Sequence, residues 1–177
     1  MSSTISFSTF PRTEPPPHFV EEIVAVFREA EPGIATLVLD QHRKSDDVLN
    51  AVSRGLQILG FDVETGKSAN QKISRPVFFG ENGQPTLRFE VDAYHKEWRC
   101  GLEVEGTRAI RGGALFRDLI QALVMVQVDH LCIAVPNIVE WGQSGRSKCY
   151  REATRTAEAI FGHTRFRFPY GLTIIGY

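Results

Sequence analysis

Hydrophobic residues recur along this chain with two different periods, and these periods predict a mixture of helices and strands. Spacings of three to four residues, typical of helices with one buried face, predict helices at residues 19–29, 45–59, 114–126 and 150–161. Ser45 is the expected N-cap of the second helix, and Gly60 follows its last turn. Alternation or short apolar runs predict strands at residues 61–64, 77–79, 87–94, 99–105, 131–135 and 172–175. Residues 34–39 fit a strand or a buried helix.

Two of the predicted strands lie close together in the middle of the chain, separated by about four residues, His95 to Trp98, which favours a β-hairpin. Because side chains alternate between the faces of a strand, even positions of the first strand share a face with odd positions of the second. One face, the predicted core face, carries Phe89, Val91, Ala93, Cys100, Leu102 and Val104. The opposite face carries Arg88, Glu90, Asp92, Tyr94, Arg99, Gly101, Glu103 and Glu105.

Acidic residues crowd this second face of the predicted hairpin, and their like charges repel one another. Two explanations are open. The face is solvated and neutralised by Arg88 and Arg99, which is the common outcome for charged strand residues. Alternatively, the carboxylates of Asp92, Glu103 and Glu105 together bind a divalent cation, because carboxylate oxygens are the ligands that Mg²⁺ prefers.

Composition fits one globular domain. The chain has 177 residues, 42% hydrophobic and 23% charged, and a formal net charge of −1, which gives nucleic-acid binding no support by itself. Residues 1–17 are rich in Ser, Thr and Pro and predict a flexible or extended arm, with a single domain at residues 18–177. The odd number of cysteines, without CxxC spacing, favours reduced buried thiols in a cytoplasmic protein. No apolar run reaches the length of a membrane span.

The order of the predicted elements resembles the core of the restriction-endonuclease-like, or PD-(D/E)xK, nuclease superfamily. The resemblance covers residues 45–136, in the order α-β-β-β-α-β, and leaves an added N-terminal helix and a C-terminal helix and strand. Val91-Asp92 is similar to the first motif of that family, and Glu103-Val104-Glu105 to the second. Two departures stand out: the family's proline is replaced by Val91, and its lysine by Glu105, as in the E-x-E variant of the motif. The implied fold class is α/β with a mixed sheet.

The resemblance implies a site of metal-dependent phosphodiester hydrolysis. Asp92 and Glu103 would bind Mg²⁺ or Mn²⁺, and Glu105 would be a further ligand or the group that orients and deprotonates the attacking water. A further acid often comes from the first helix or strand in this family, which makes Asp47 and Glu64 candidates. The loop after the acidic strand carries Arg108 and Arg111, which are candidates for binding DNA phosphates, although exposed loop arginines are common.

The leading functional hypothesis is therefore a metal-dependent nuclease that hydrolyses DNA. A catalytically inactive nuclease-fold protein that binds nucleic acid or another protein is the alternative, and an α/β protein with an unrelated small-molecule site is a third. By analogy with the family, an enzyme of this length would act as a homodimer or in a larger complex.

Overall fold

A computed structural model describes residues 3–39, 43–110, 112–140 and 145–177. The predicted helices form with small changes at their ends. They are α1 (Phe19–Ile34), α2 (Ser45–Leu59), α3 (Ala114–Val124) and α4 (Cys149–Phe161). Gly60 ends α2 in the left-handed conformation, with φ of 101°, which glycine adopts at little cost. The N-cap prediction is wrong, because Ser45 is already helical and Lys44 precedes it without a side-chain cap bond.

A six-stranded mixed sheet forms the centre of the fold. Its strands are β1 (Ser6–Phe10), β2 (Phe61–Val63), β5 (Ala93–His95), β6 (Cys100–Val104), β7 (His130–Val135) and β10 (Gly171–Gly176). Across the sheet their order is β1-β10-β7-β6-β5-β2. The central strands β6, β7 and β10 are parallel, whereas β1, β5 and β2 add antiparallel pairings. The predicted α/β class with a mixed sheet is confirmed.

Two short two-stranded sheets lie outside this central sheet. One is the hairpin of β3 (Ile73–Phe79) and β4 (Pro85–Val91), and the other pairs β8 (Val139–Glu140) with β9 (Arg146–Ser147). The strand predicted at 87–94 is thus two strands, since the chain bends at Asp92: β4 pairs with β3, and β5 pairs with β6.

Helices cover both faces of the central sheet, as expected where parallel strands lie in its middle. On one face Leu102 and Val104 pack in a core cluster with residues of α1 and α2. On the other face Leu131 and Ile133 pack with residues of α3 and α4. Leu102 is fully buried, in agreement with the predicted core face. Val91 was also predicted on the core face, but this prediction is wrong. The bend at Asp92 places Val91 in a separate small cluster with Tyr94, on the side that was predicted to be polar.

Two further segments differ from prediction. Residues 34–39 form neither a strand nor a separate buried helix: Ile34 ends α1, and the chain then turns. Residues 6–10, inside the segment predicted as an arm, are extended but belong to the sheet as β1, with Phe10 fully buried. The sequence signal for this strand was the alternation of Ile5, Phe7 and Thr9 with Ser6 and Ser8. The division into an arm and a domain from residue 18 stays a prediction.

Candidate active site

Asp92 lies at the bend between β4 and β5, where the chain leaves the hairpin and enters the central sheet. Its Oδ2 accepts a hydrogen bond of 2.7 Å from the backbone N–H of Val104, the last residue of β6. This bond fixes the carboxylate beside β6, although Asp92 itself is not part of the ladder between β5 and β6. Burial raises the pKa of Asp92 to about 6, in spite of that hydrogen bond, and the negative charge of Glu64 adds to the rise.

Glu103 is the fourth of the five residues of β6 and lies opposite Ile133 of β7. Because Leu102 and Val104 face α1 and α2, Glu103 points to the α3 face of the sheet. Only 8% of the residue is exposed. Burial, followed by the charge of Asp92, raises the pKa of Glu103 well above its usual value. Two acids are thus held together where ionising both is costly, an arrangement that is more common at functional sites than in structural cores.

An open cleft gives access to this acidic pair. Asp92 and Glu103 line a cavity of about 470 Å³ and a neighbouring one of about 350 Å³. Arg117 of α3 lines both cavities as well. The predicted acids therefore meet at a cleft rather than on an open, solvated face.

Glu105, immediately after β6, lines the second cavity, and only 14% of its side chain is exposed. Arg117 Nη2 donates a hydrogen bond of 2.7 Å to Glu105 Oε1. Burial and the neighbouring Asp118 raise the pKa of Glu105 to about 7, against the opposing charge of Arg117. All three predicted acidic residues thus line the cleft, with Glu105 bound to an arginine.

Asp118 is a site residue that the sequence argument missed. Its side chain is 1% exposed, and Arg117 Nε donates a hydrogen bond of 2.9 Å to its Oδ1. The signal was available, because Asp118 falls on the apolar stripe of the predicted helix, beside Leu115, Leu119 and Ala122. An acid on a buried helical stripe needs a partner or a function.

Lys72, just before β3, is a second missed residue. Its Nζ lies 2.7 Å from Glu64 Oε2 and 3.6 Å from Glu90 Oε2, and its side chain is 22% exposed. Lys72 and Glu64 both line the two cavities beside Asp92. Glu64, one of the two candidates for a further acid, is therefore at the site. Asp47, the other, is exposed on α2 and is not among the residues that line these cavities.

The arginines predicted near the acids have different positions. Arg88 lines the larger cavity, but Arg99 makes an ion pair of 2.9 Å with Asp129 instead of neutralising the acidic face. Arg108 is exposed and lines the second cavity. Arg111 lies outside the described residues, so its predicted role in substrate binding stays a prediction.

The donors at the site fit a hard divalent cation such as Mg²⁺, since all of them are carboxylate oxygens. The buried Oδ2 of Asp118 has no hydrogen-bond partner among the described residues, an observation that also fits a cation close to the cluster. Within the described ranges, however, no three His, Cys, Asp or Glu side chains are spaced to enclose an ion by themselves. Asp92 and Glu103 would therefore supply two ligands, and water or phosphate the others, which is usual for Mg²⁺.

Comparisons with known proteins bear on this site. A family model described as "Putative halobacteria restriction endonuclease" matches residues 7–177, which run from within β1 to the end of the chain and include every acid of the cleft. A search of curated proteins gives no match. No helix in the described part of the chain is long and apolar enough to cross a membrane.

Proposed function

Because this chain belongs to the family of putative halobacteria restriction endonucleases, we propose that it is a metal-dependent nuclease that hydrolyses DNA phosphodiester bonds. The observation that carries the proposal is the pair formed by partly buried Asp92 and buried Glu103, which both line an open cleft. Two adjacent carboxylates with raised pKa values weaken the folded protein, and a bound cation would offset that cost.

Asp92 and Glu103 are the proposed metal ligands. Mg²⁺ or Mn²⁺ bound there would neutralise charge on the phosphate and lower the pKa of the attacking water. The N–H of Val104 donates its hydrogen bond to Asp92 Oδ2, so this bond leaves Oδ1 available as a metal ligand.

Glu105 is the proposed general base. A pKa of about 7 suits a group that must accept a proton from water near neutral pH. Arg117 keeps the carboxylate of Glu105 oriented through the 2.7 Å hydrogen bond, and Asp118 in turn holds Arg117. The identification of the second motif as an E-x-E variant rests on this role. Arg108, which also lines the second cavity, would bind a DNA phosphate.

The inactive alternative also has an observation in its favour. The guanidinium of Arg117 already lies between Glu105 and Asp118, so these two carboxylates have a permanent counterion and do not require a metal. In that case the protein would bind nucleic acid or another protein without cleaving anything. The two proposals differ in whether Asp92 and Glu103, which Arg117 does not contact, bind a divalent ion.

Incubation of supercoiled plasmid and of single-stranded DNA with the purified protein tests the proposal. We expect cleavage in Mg²⁺ or Mn²⁺, none in EDTA, and at least a 100-fold loss in Asp92→Asn and Glu103→Gln, on the order of the effect of removing a charged group from a transition-state site. Glu29→Gln, on the exposed face of α1, is the matched control for charge and should cleave normally. If folded wild-type protein binds no Mn²⁺ in titration calorimetry, the nuclease proposal is wrong and the inactive alternative is favoured.

A further inference from the structure

A second recess, which we call the basic recess, adjoins the acidic cleft and shares Glu105 and Arg108 with it. Its volume is about 320 Å³, and it is lined by four cationic side chains: Arg43, Lys44, Lys67 and Arg108. These residues come from three separate segments, namely the start of α2, the loop after β2, and the loop after β6. Cations from distant parts of the chain converge here, whereas isolated surface lysines are usually scattered and solvated.

Within the described part of the chain, few ion pairs neutralise these charges. Lys67 lies 3.2 Å from Asp46, but both side chains are largely exposed, and such pairs contribute little. Arg43 and Arg108 make no ion pair with any described residue. Glu105, the other acid of the recess, is already bound to Arg117. Of the described residues that line the recess, four are cationic and two, Asp46 and Glu105, are acidic, so these residues give it an excess of positive charge, in contrast to the neighbouring cleft around Asp92 and Glu103.

The recess and the acidic cleft are continuous. Lys67 and Arg108 line both the recess and the smaller cavity that contains Asp92 and Glu103. Two sides of the recess lie close together at Gly106, since a Cβ on Gly106 would lie 3.4 Å from the backbone nitrogen of Ser45. This close approach places the loop that carries Arg108 directly against the start of α2.

We propose that the basic recess binds backbone phosphates of a polynucleotide strand on one side of the bond that is cut. The inference rests on the proposed function, which locates the scissile phosphate at Asp92 and Glu103. A strand leaving that point past Glu105 enters a recess in which Arg43 and Arg108 have no ion-pair partner among the described residues, and each phosphate contact there releases a counterion. The substrate is thus a strand that extends beyond the cut on the side of the recess, and a nucleotide or a strand ending at the cut is a poor one.

Binding measurements test the recess separately from catalysis. We would measure the fluorescence anisotropy of labelled DNA, in Ca²⁺ and in EDTA, for wild type, Arg108→Gln, Lys67→Gln and the double variant. Each loss of one phosphate contact should weaken binding about fivefold at 0.15 M salt and reduce the slope of log K against log salt by about 0.9. Arg155→Gln, an exposed arginine on α4 that lines none of these cavities, is the matched control and should bind like wild type.

A second measurement locates the contacts along the strand. We would use oligonucleotides in which one neutral methylphosphonate replaces a phosphate on one side of the cut or on the other. If nothing is cut, the site that the protein protects takes the place of the cut. The modification should weaken binding several-fold on one side and have no effect on the other. In Arg108→Gln that loss should disappear, because the phosphate and the arginine act as a pair.

The outcomes separate the two proposals. Three results would overturn the proposal for the recess: equal effects of methylphosphonates on both sides, binding of inorganic phosphate as tight as that of DNA, or binding by Arg108→Gln and Lys67→Gln that equals binding by Arg155→Gln. Cleavage by wild type would still support the nuclease proposal in these cases. Binding that depends on the recess without cleavage would overturn the nuclease and keep the recess as a nucleic-acid site. Absence of both binding and cleavage would refute both.

Discussion

Asp92→Asn should stabilise the metal-free protein while it abolishes activity. In the folded protein the pKa of Asp92 rises to about 6 from its usual 3.8, mainly because of burial. The folded state therefore binds more protons than the unfolded state between about pH 4 and pH 6. Stability falls as the pH rises through this range, and the full penalty, about 3 kcal/mol, is present above pH 6.

Asparagine removes this penalty with little change of shape. Its side-chain oxygen can still accept the hydrogen bond from the N–H of Val104, so the bend should be preserved. At pH 8 in EDTA we expect Asp92→Asn to be more stable than wild type by up to about 3 kcal/mol. In urea this corresponds to a midpoint higher by about 1.5 M, for an m-value of about 2 kcal/mol/M.

Urea denaturation of both proteins from pH 4 to pH 8 gives the result. The difference should disappear near pH 4, where the carboxyl is protonated in the folded state, and Mn²⁺ should stabilise wild type but not Asp92→Asn. Glu29→Gln controls for the loss of one negative charge. A difference that is independent of pH, or an Asp92→Asn protein that is less stable than wild type at pH 8, would refute this account of the acidic pair.

Three other substitutions test parts of the site and the core. Arg117→Met should raise the pKa of Glu105 above about 7 by removing its counterion, which a pH–rate profile measures. It should also lower the free energy of unfolding by about 2 kcal/mol, measured by urea denaturation, because Asp118 loses its hydrogen-bond donor. Lys72→Met should loosen the β3–β4 hairpin by breaking the contact with Glu64, seen as faster amide exchange in the hairpin, and Lys72→Arg should restore protection. Leu102→Ala should cost 2–5 kcal/mol, in calorimetry or urea, because the side chain is fully buried.

Part of the candidate site could be predicted from the sequence. The alternation around Asp92 and Glu103 was enough to predict strands, a hairpin and a common side for the acids, because a strand's period of two is a local property. Even there, the prediction of one continuous first strand was wrong: the bend at Asp92 separates β4 from β5 and moves Val91 to a different cluster.

Local sequence patterns could not predict which cations neutralise the acids of the site. Arg88 and Arg99 were the candidate counterions under one of the two explanations, yet Lys72 and Arg117 make the ion pairs with Glu64 and Glu105. These partners come from the approach to the β3–β4 hairpin and from α3, and their distance from the acids depends on how those elements pack against the sheet.

By itself, the sequence determined the four helices, most strands of the central sheet and the resemblance to nucleases, and it singled out Asp92, Glu103 and Glu105, since these depend on spacing along the chain. Only the tertiary structure decided that Asp118 joins them, that Arg117 pairs with Glu105, and that Arg108 borders a basic recess. The physical reason is that burial and Coulomb interactions act between neighbours in space. The same carboxylate on an exposed strand would keep its ordinary pKa, and here the enclosing elements change it.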